Sequence, residues 1–144
     1  QIDGKRIPSV YPVGPLISPP ESDGSGSLQW LDKQPDASVL FVSFGSVNFL
    51  SAAQIVELAL GLEGSGQRFL WVLPSPPNTV SNPEVSALLP PGFEQRNKDR
   101  GLVVTSWAPQ VAILAHPSTG GFVSHCGWNS VLESVSHGVP IIAW

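Results

Sequence analysis

The chain has 144 residues, enough for one core, since a domain of this length buries roughly 68–70% of the surface its unfolded form exposes. A net charge of −4 with only 12% charged residues argues against nucleic acid or an anionic membrane as partner, and no stretch reaches the ~18 apolar residues of a membrane span. The single cysteine, Cys126, excludes a disulfide framework and fits a reducing compartment, the cytoplasm.

Residues 1–27 carry Pro8, Pro12, Pro15, Pro19 and Pro20 and end in a Ser/Gly/acidic tail, a composition that reads as a linker leading into a domain over residues 28–144. Ser27 is the candidate cap of a short helix over 28–33, which Pro35 closes. Trp30 and Leu31 are expected to tuck under a sheet. The first strand is the apolar run 39–44; an unbroken run of this kind signals burial on both faces, hence a parallel sheet. Gly45-Ser46 ends it. Ser51 opens a helix over 52–62 with Ile55, Leu58, Ala59 and Leu62 at helical spacing, and Gly64-Ser65-Gly66 stops it.

Residues 68–73 form the second strand, and the proline-rich text from 74 to 83 reads as a surface loop. A charged helix over 94–98 is expected to be closed by Gly101, with the third strand at 102–105. The next helix spans 109–115, and the fourth strand is 122–124 after a glycine pair. A helix over 130–137, ended by Gly138, is expected to turn Val131, Leu132 and Val135 to the sheet, and Ile141-Ile142-Ala143 begins a fifth strand. Strands alternating with helices imply right-handed crossovers in a doubly wound α/β fold. In the order 3-2-1-4-5 the reversal falls between strands one and four, and ligands bind beyond the carboxyl ends of strands at such a switch point.

The residues that would meet there carry chemistry. After the fourth strand, His125-Cys126-Gly127-Trp128-Asn129-Ser130 turns sharply into a helix, with Gly127 giving the backbone room and Asn129 or Ser130 as candidate N-cap. Free N–H groups and the positive end of the helix dipole make an anion site. His125, Asn129 and Ser130 add side-chain donors suited to a diphosphate held without a metal, and Ser46 would add another from across the crevice. Glu133 would repel phosphates; a carboxylate in that place suits ribose hydroxyls. Trp107, after the third strand, offers a flat face on which a base would stack for about 1–3 kcal/mol.

Competing readings are weaker. His125 as general base suits an imidazole, but its place at a helix mouth makes phosphate donor the simpler role. Cys126 is read as packing rather than as a nucleophile, and His116, His125, Cys126 and His137 lack a recognised zinc spacing. The glycines do not form Gly-x-Gly-x-x-Gly, and Ser43-Phe44-Gly45-Ser46 is not a nucleophile elbow.

Trp107-Ala108-Pro109-Gln110, the run from His116 to Phe122, the run from His125 to Ser130, Glu133 and Gly138-Val139-Pro140 closely resemble the signature of plant family-1 UDP-glycosyltransferases, with some preference for the hydroquinone or monolignol branch. The resemblance implies the C-terminal, donor-binding domain of a GT-B fold. It implies UDP-glucose as donor, transfer with inversion to a small phenol or other metabolite, and no metal or further cofactor. Ser46, Trp107, Ala108, Gln110, His125, Trp128, Asn129, Ser130 and Glu133 become the candidate UDP-sugar site, with Trp128 near the sugar. No catalytic residue is assigned here, because the family's His–Asp pair belongs to an N-terminal half that would also bind the acceptor. The signature runs about six residues past Trp144, and the first residue is not Met. The sequence is therefore expected to be a fragment that binds donor without transferring sugar, of a protein monomeric at full length. The alternative is a non-catalytic nucleotide-sugar-binding homologue.

Overall fold

The computed structural model describes residues 9, 11, 13–17, 19, 23–45, 50–74 and 85–144. Most of the proline-rich linker, the loop after residue 74 and Ser46 lie outside them. Eleven elements are present among the described residues. They are α1 (Ser27–Leu31), β1 (Val39–Ser43), α2 (Ala52–Ser65), β2 (Arg68–Val72), a 3-10 turn (Val85–Leu88), α3 (Phe93–Asn97), β3 (Gly101–Val104), α4 (Gln110–Ala115), β4 (Thr119–Ser124), α5 (Trp128–Ser136) and β5 (Ile141–Ala143). The strands form one sheet in the order β3-β2-β1-β4-β5, with every neighbouring pair parallel. The doubly wound order expected from the strand and helix text is the one observed.

Alternation along each strand divides the core between the two faces of the sheet. Val42, Phe44, Phe69, Trp71, Leu73 and Val123 point to one side, where Ile55, Leu58, Ala59 and Leu62 of α2 and Phe93 of α3 cover them. Val39, Phe41, Leu70, Val104 and Phe122 point to the other and meet Leu31 of α1 with Ile113 and Leu114 of α4. Phe41 and Phe122 face each other across β1 and β4, stacked with ring centroids 4.9 Å apart. Trp71, Phe41, Phe69 and Phe122 are among the largest side chains with no meaningful exposure; burying each contributes roughly 1.5–3 kcal/mol or more.

Helix ends follow local chemistry. Ser51 caps α2 in a reciprocal box with Gln54, and Gly66 closes it in the left-handed region. Arg100, from the segment before β3, donates to the carbonyls of Leu62, Glu63 and Gln67 at that end, satisfying acceptors the helix leaves open. Arg96 binds Glu63 through two nitrogens at 2.6 and 3.1 Å, and this hydrogen bond holds the Glu63 carboxyl below the usual carboxylate range.

Several expectations are corrected. Ser27 does not cap α1: Gly26 is the N-cap residue and offers no side chain. Asp23 takes that role from outside, its Oδ2 accepting the Leu28 N–H at 2.7 Å while Oδ1 accepts from Ser25 and Ser27. Gly101 does not close α3 but begins β3, opposite Phe69; the Phe69 ring fills the space a Gly101 side chain would need. β4 starts at Thr119 rather than at Phe122. The glycine pair lies inside it because the Ala37 carbonyl presses against Gly120 and the register with β1 skips there. Val135 does not face the sheet but is 68% exposed. The residues α5 buries are Ser130 and Ser134, and the Ser134 hydroxyl donates to the Val139 carbonyl at 2.7 Å. Small serines let the helix lie close, and the valine is left outside.

Burial works against the Asp23 carboxylate, but hydrogen bonds from the Ser25 hydroxyl, the Leu28 and Ser25 N–H groups and the Ser27 hydroxyl outweigh it and hold its carboxyl below the usual range. A lowered folded-state value means that the stabilisation is present above the ordinary carboxylate value and disappears as pH falls through the folded one. Asp23→Ala is therefore expected to cost roughly 0.5–2 kcal/mol at neutral pH, the range for losing a helix cap, and progressively less in acid. Urea unfolding of both proteins at pH 7 and pH 3 checks it; a cost independent of pH contradicts the capping role.

Candidate nucleotide-sugar site

The site lies where β1 and β4 end side by side. Ser43 and Ser124 are register partners, and the chain leaves each in the same way. The Ser43 Oγ accepts the Gly45 N–H at 3.5 Å and the Ser124 Oγ accepts the Cys126 N–H at 3.1 Å, a hydroxyl turn at each strand end. Gly45 and Cys126 both adopt positive φ, 78° and 57°. The first is glycine, as that conformation favours; the second is not, and carries the strain of a side chain in the left-handed region. Cys126 is exposed, not packed as expected, and its thiol donates only a long 3.7 Å contact to the Ser124 carbonyl.

Beyond this turn the chain enters α5. Its N-cap is Gly127, with no side-chain cap; Asn129 and Ser130, the expected candidates, both lie inside the helix. The first intrahelical bond runs from the Val131 N–H to the Gly127 carbonyl at 3.0 Å, so the Trp128, Asn129 and Ser130 N–H groups open on the crevice with the positive end of the helix dipole. Gly127 and Gly45 both lie against the His125 ring, so the imidazole sits between the ends of β1 and β4.

One turn along α5 a second constellation forms. Gln110, the first residue of α4, donates its amide Nε2 to the Glu133 carboxylate at 2.7 Å and to the Ser130 hydroxyl oxygen at 3.1 Å. The Ser130 oxygen is used as acceptor, which leaves its O–H free to donate to a ligand. Glu133 is half-buried, and the Gln110 amide fixes its direction while leaving acceptor capacity on the carboxylate. Gln110, Ser130 and Glu133 are thus brought together across α4 and α5. Ala108 is buried, and just before it Trp107 is 57% exposed. Asn129 is exposed, and Trp128 at 71% stands free at the mouth of α5. One contact near the strand ends was not expected from the sequence: Trp144, after β5, meets Phe44, after β1, edge to face at 6.1 Å. Its only advance signal was an aromatic directly after a short apolar strand.

The other two histidines serve the scaffold. His116 Nε2 lies 3.2 Å from Asp32 and its Nδ1 accepts the Ser118 N–H, while His137 Nδ1 meets the Glu133 carbonyl at the end of α5.

Residues 8–144 match the family described as UDP-glucoronosyl and UDP-glucosyl transferase. The chain belongs to this family. As a UDP-glycosyltransferase family member it is 55% identical over 156 residues to a hydroquinone glucosyltransferase of Rauvolfia serpentina, covering all of this chain and 33% of that protein. It is also 55% identical to an anthocyanidin 5,3-O-glucosyltransferase of a Rosa hybrid cultivar, covering 99% of this chain and 31% of that one. A solved structure of Phytolacca americana UGT2, complexed with UDP-2fluoro-glucose and pterostilbene, superposes with a TM-score of 0.84 at 59% identity over 95% of this chain and 29% of that chain. The chain spans about a third of the length of the curated relatives it matches.

The twin turns give a test of their geometry. Cys126→Gly relieves a left-handed side chain and is expected to change stability by no more than about 1 kcal/mol, toward stabilisation, because the relief of roughly 1–2 kcal/mol exceeds the entropy glycine loses on folding. Gly45→Ala places a side chain in the same region and 2.9 Å from the His125 ring, and is expected to cost about 1–2 kcal/mol or more. Urea unfolding of the three proteins decides it; a neutral Gly45→Ala contradicts the geometry.

Proposed function

We propose that this chain is the donor-binding domain, residues 28–144 preceded by a linker over 1–27, of a GT-B enzyme that moves glucose from UDP-glucose to a hydroxyl of a small phenolic or other secondary metabolite. The observation that carries the reading is the Gln110–Glu133–Ser130 constellation one turn from an uncapped helix mouth. A carboxylate with acceptors to spare and a cluster of N–H and O–H donors a few ångströms along the same helix match a ribose and a diphosphate in series. The named substrates of the relatives, hydroquinone and anthocyanidin, and the UDP-2fluoro-glucose in the Phytolacca complex support the donor and the class of acceptor.

In this reading the uracil stacks on Trp107, with the Ala108 backbone at its edge. Glu133 and Gln110 take the ribose hydroxyls. His125, Asn129, Ser130, Ser46 and the first N–H groups of α5 hold the diphosphate, with Trp128 beside the sugar. As the acceptor oxygen bonds to the anomeric carbon with inversion, the bond from that carbon to the UDP oxygen breaks and its electron pair leaves with UDP. Donors already aimed at the phosphates stabilise that growing charge without reorganising, and the role assigns no resident metal or cofactor. The base that removes the acceptor proton is placed outside this chain. A place in the reducing cytoplasm fits the single cysteine, which is free; no helix among the described residues is long and apolar enough to cross a membrane.

The roles separate by ligand. In a protein of the relatives' full length that contains this chain, Glu133→Ala is expected to weaken UDP by roughly 1.5–3 kcal/mol, the range for hydrogen bonds to a charged group, and to matter far less for the 2′,3′-dideoxyribose analogue. His125→Ala should weaken both nucleotides alike yet hardly change uridine, and Trp107→Ala should weaken all three. Calorimetry on variants shown to be folded measures the set. Equal losses of UDP and the dideoxy analogue in Glu133→Ala would make that carboxylate architectural.

A further inference from the structure

A histidine that presents one ring nitrogen to a ligand is commonly aimed by a hydrogen bond through the other, from Nδ1–H to a carbonyl or carboxylate. Among the described residues His125 has no such anchor: its Nδ1 is buried and without a hydrogen-bond partner there. Its ring is aimed by walls instead. A Cβ on Gly45 would lie 2.9 Å from Cε1 and 3.2 Å from Nε2, and a Cβ on Gly127 would strike Nε2 itself and lie 3.0 Å from Cε1 and 3.2 Å from Cδ2. Both glycines border the Cε1–Nε2 edge, and with Nδ1 enclosed, Nε2 is the nitrogen left for a ligand.

The two glycines differ in what their backbones require. Gly45, at φ 78°, favours glycine whatever stands beside it. Gly127, at φ −57° and ψ 142°, occupies a region open to every residue, so its own conformation supplies no reason for a missing side chain. The imidazole against it supplies one.

We propose that Gly127 is a positioning residue, whose lack of a Cβ lets the His125 ring sit across the mouth of α5 with Nε2 toward the donor's phosphates. This rests on the reading of His125 as a phosphate donor. The rival explanation of the same glycine is that it lets the diphosphate itself approach the backbone. The two differ in one respect: if the ring is what needs the space, deleting the ring removes the need.

The experiment is a double-mutant cycle on UDP and uridine affinity, in a protein of the relatives' full length that contains this chain, with Gly127→Ala in the parent and in His125→Ala. Gly127→Ala is expected to weaken UDP at least tenfold in the parent, to leave uridine within about twofold, and to cost less than about twofold for UDP once His125 is alanine. In the parent background it should also move the His125 Cε1–H resonance in the absence of ligand, while the melting temperature records the N-cap cost common to both backgrounds. Equal losses in the two backgrounds, an unmoved ring resonance, or full UDP affinity in Gly127→Ala overturns the positioning role. Full UDP affinity in His125→Ala overturns the phosphate reading beneath it, so the two failures are distinct.

Discussion

The parallel pairing of β1 with β4 is the contact on which the rest depends. Chain order would place β2 on one side of β1, and it does so; the other side is taken by a strand some eighty residues later, in register Ser43 to Ser124. That pairing creates the reversal of the sheet, and with it two hydroxyl turns ending side by side, the His125 ring between glycines, and the opening of α5 onto the gap. It is held from both faces, by Phe41 stacked on Phe122 on one and by Val42 and Val123 against the helical layer on the other. A change that slid β4 by one residue would turn Phe122 and Val123 to the opposite faces and displace His125 and the start of α5 with them.

The proposed anion site is built with little positive charge to spend. Each described arginine is committed to structure: Arg68 to the Gln34 side chain, Arg96 to Glu63, and Arg100 to carbonyls at the end of α2. What remains at the crevice is an imidazole, hydroxyls, an amide and the unpartnered N–H groups of a helix whose cap residue is glycine. A helix terminus carries about half a unit charge, and donors fixed in place need no rearrangement when charge arrives. With glycine as its N-cap, the mouth of α5 forgoes only about a few tenths of a kcal/mol relative to a side-chain cap, and its first N–H groups have no side-chain cap.

Much of this was legible in the sequence. Unbroken apolar strand text predicted a sheet covered on both faces, and its alternation with helices predicted the observed strand order, hence the switch point. The signature residues named the candidate site, and of these the structure joins Gln110, Ser130 and Glu133 by hydrogen bonds. What failed to show had local physical causes. Cap assignment went to Asn129 or Ser130, and to Ser27, because those side chains are good caps, whereas the structure leaves α5 open and caps α1 from Asp23. Gly101 read as the close of a helix and Gly120 as lying before a strand, yet each is a glycine inside a strand, where a Phe69 ring or an Ala37 carbonyl occupies the space of its side chain. Such reasons exist only in three dimensions. Val135 looked like core by type, while two serines at helical spacing made the closer contact. The hydrogen bonds that join Gln110 to Glu133 and Ser130 depend on how α4 meets α5, which periodicity does not reveal.

The central claim is that the open end of α5 receives the phosphates. The most direct measurement is the backbone amide spectrum of a protein of the relatives' full length that contains this chain, titrated with UDP and, separately, with uridine. The account predicts that the Trp128, Asn129 and Ser130 amide resonances shift strongly with UDP and little with uridine, since those N–H groups have no partner among the described residues and are proposed to meet the phosphates. If UDP binds while these three amides stay where they were, the helix mouth is not the phosphate site and the account is wrong.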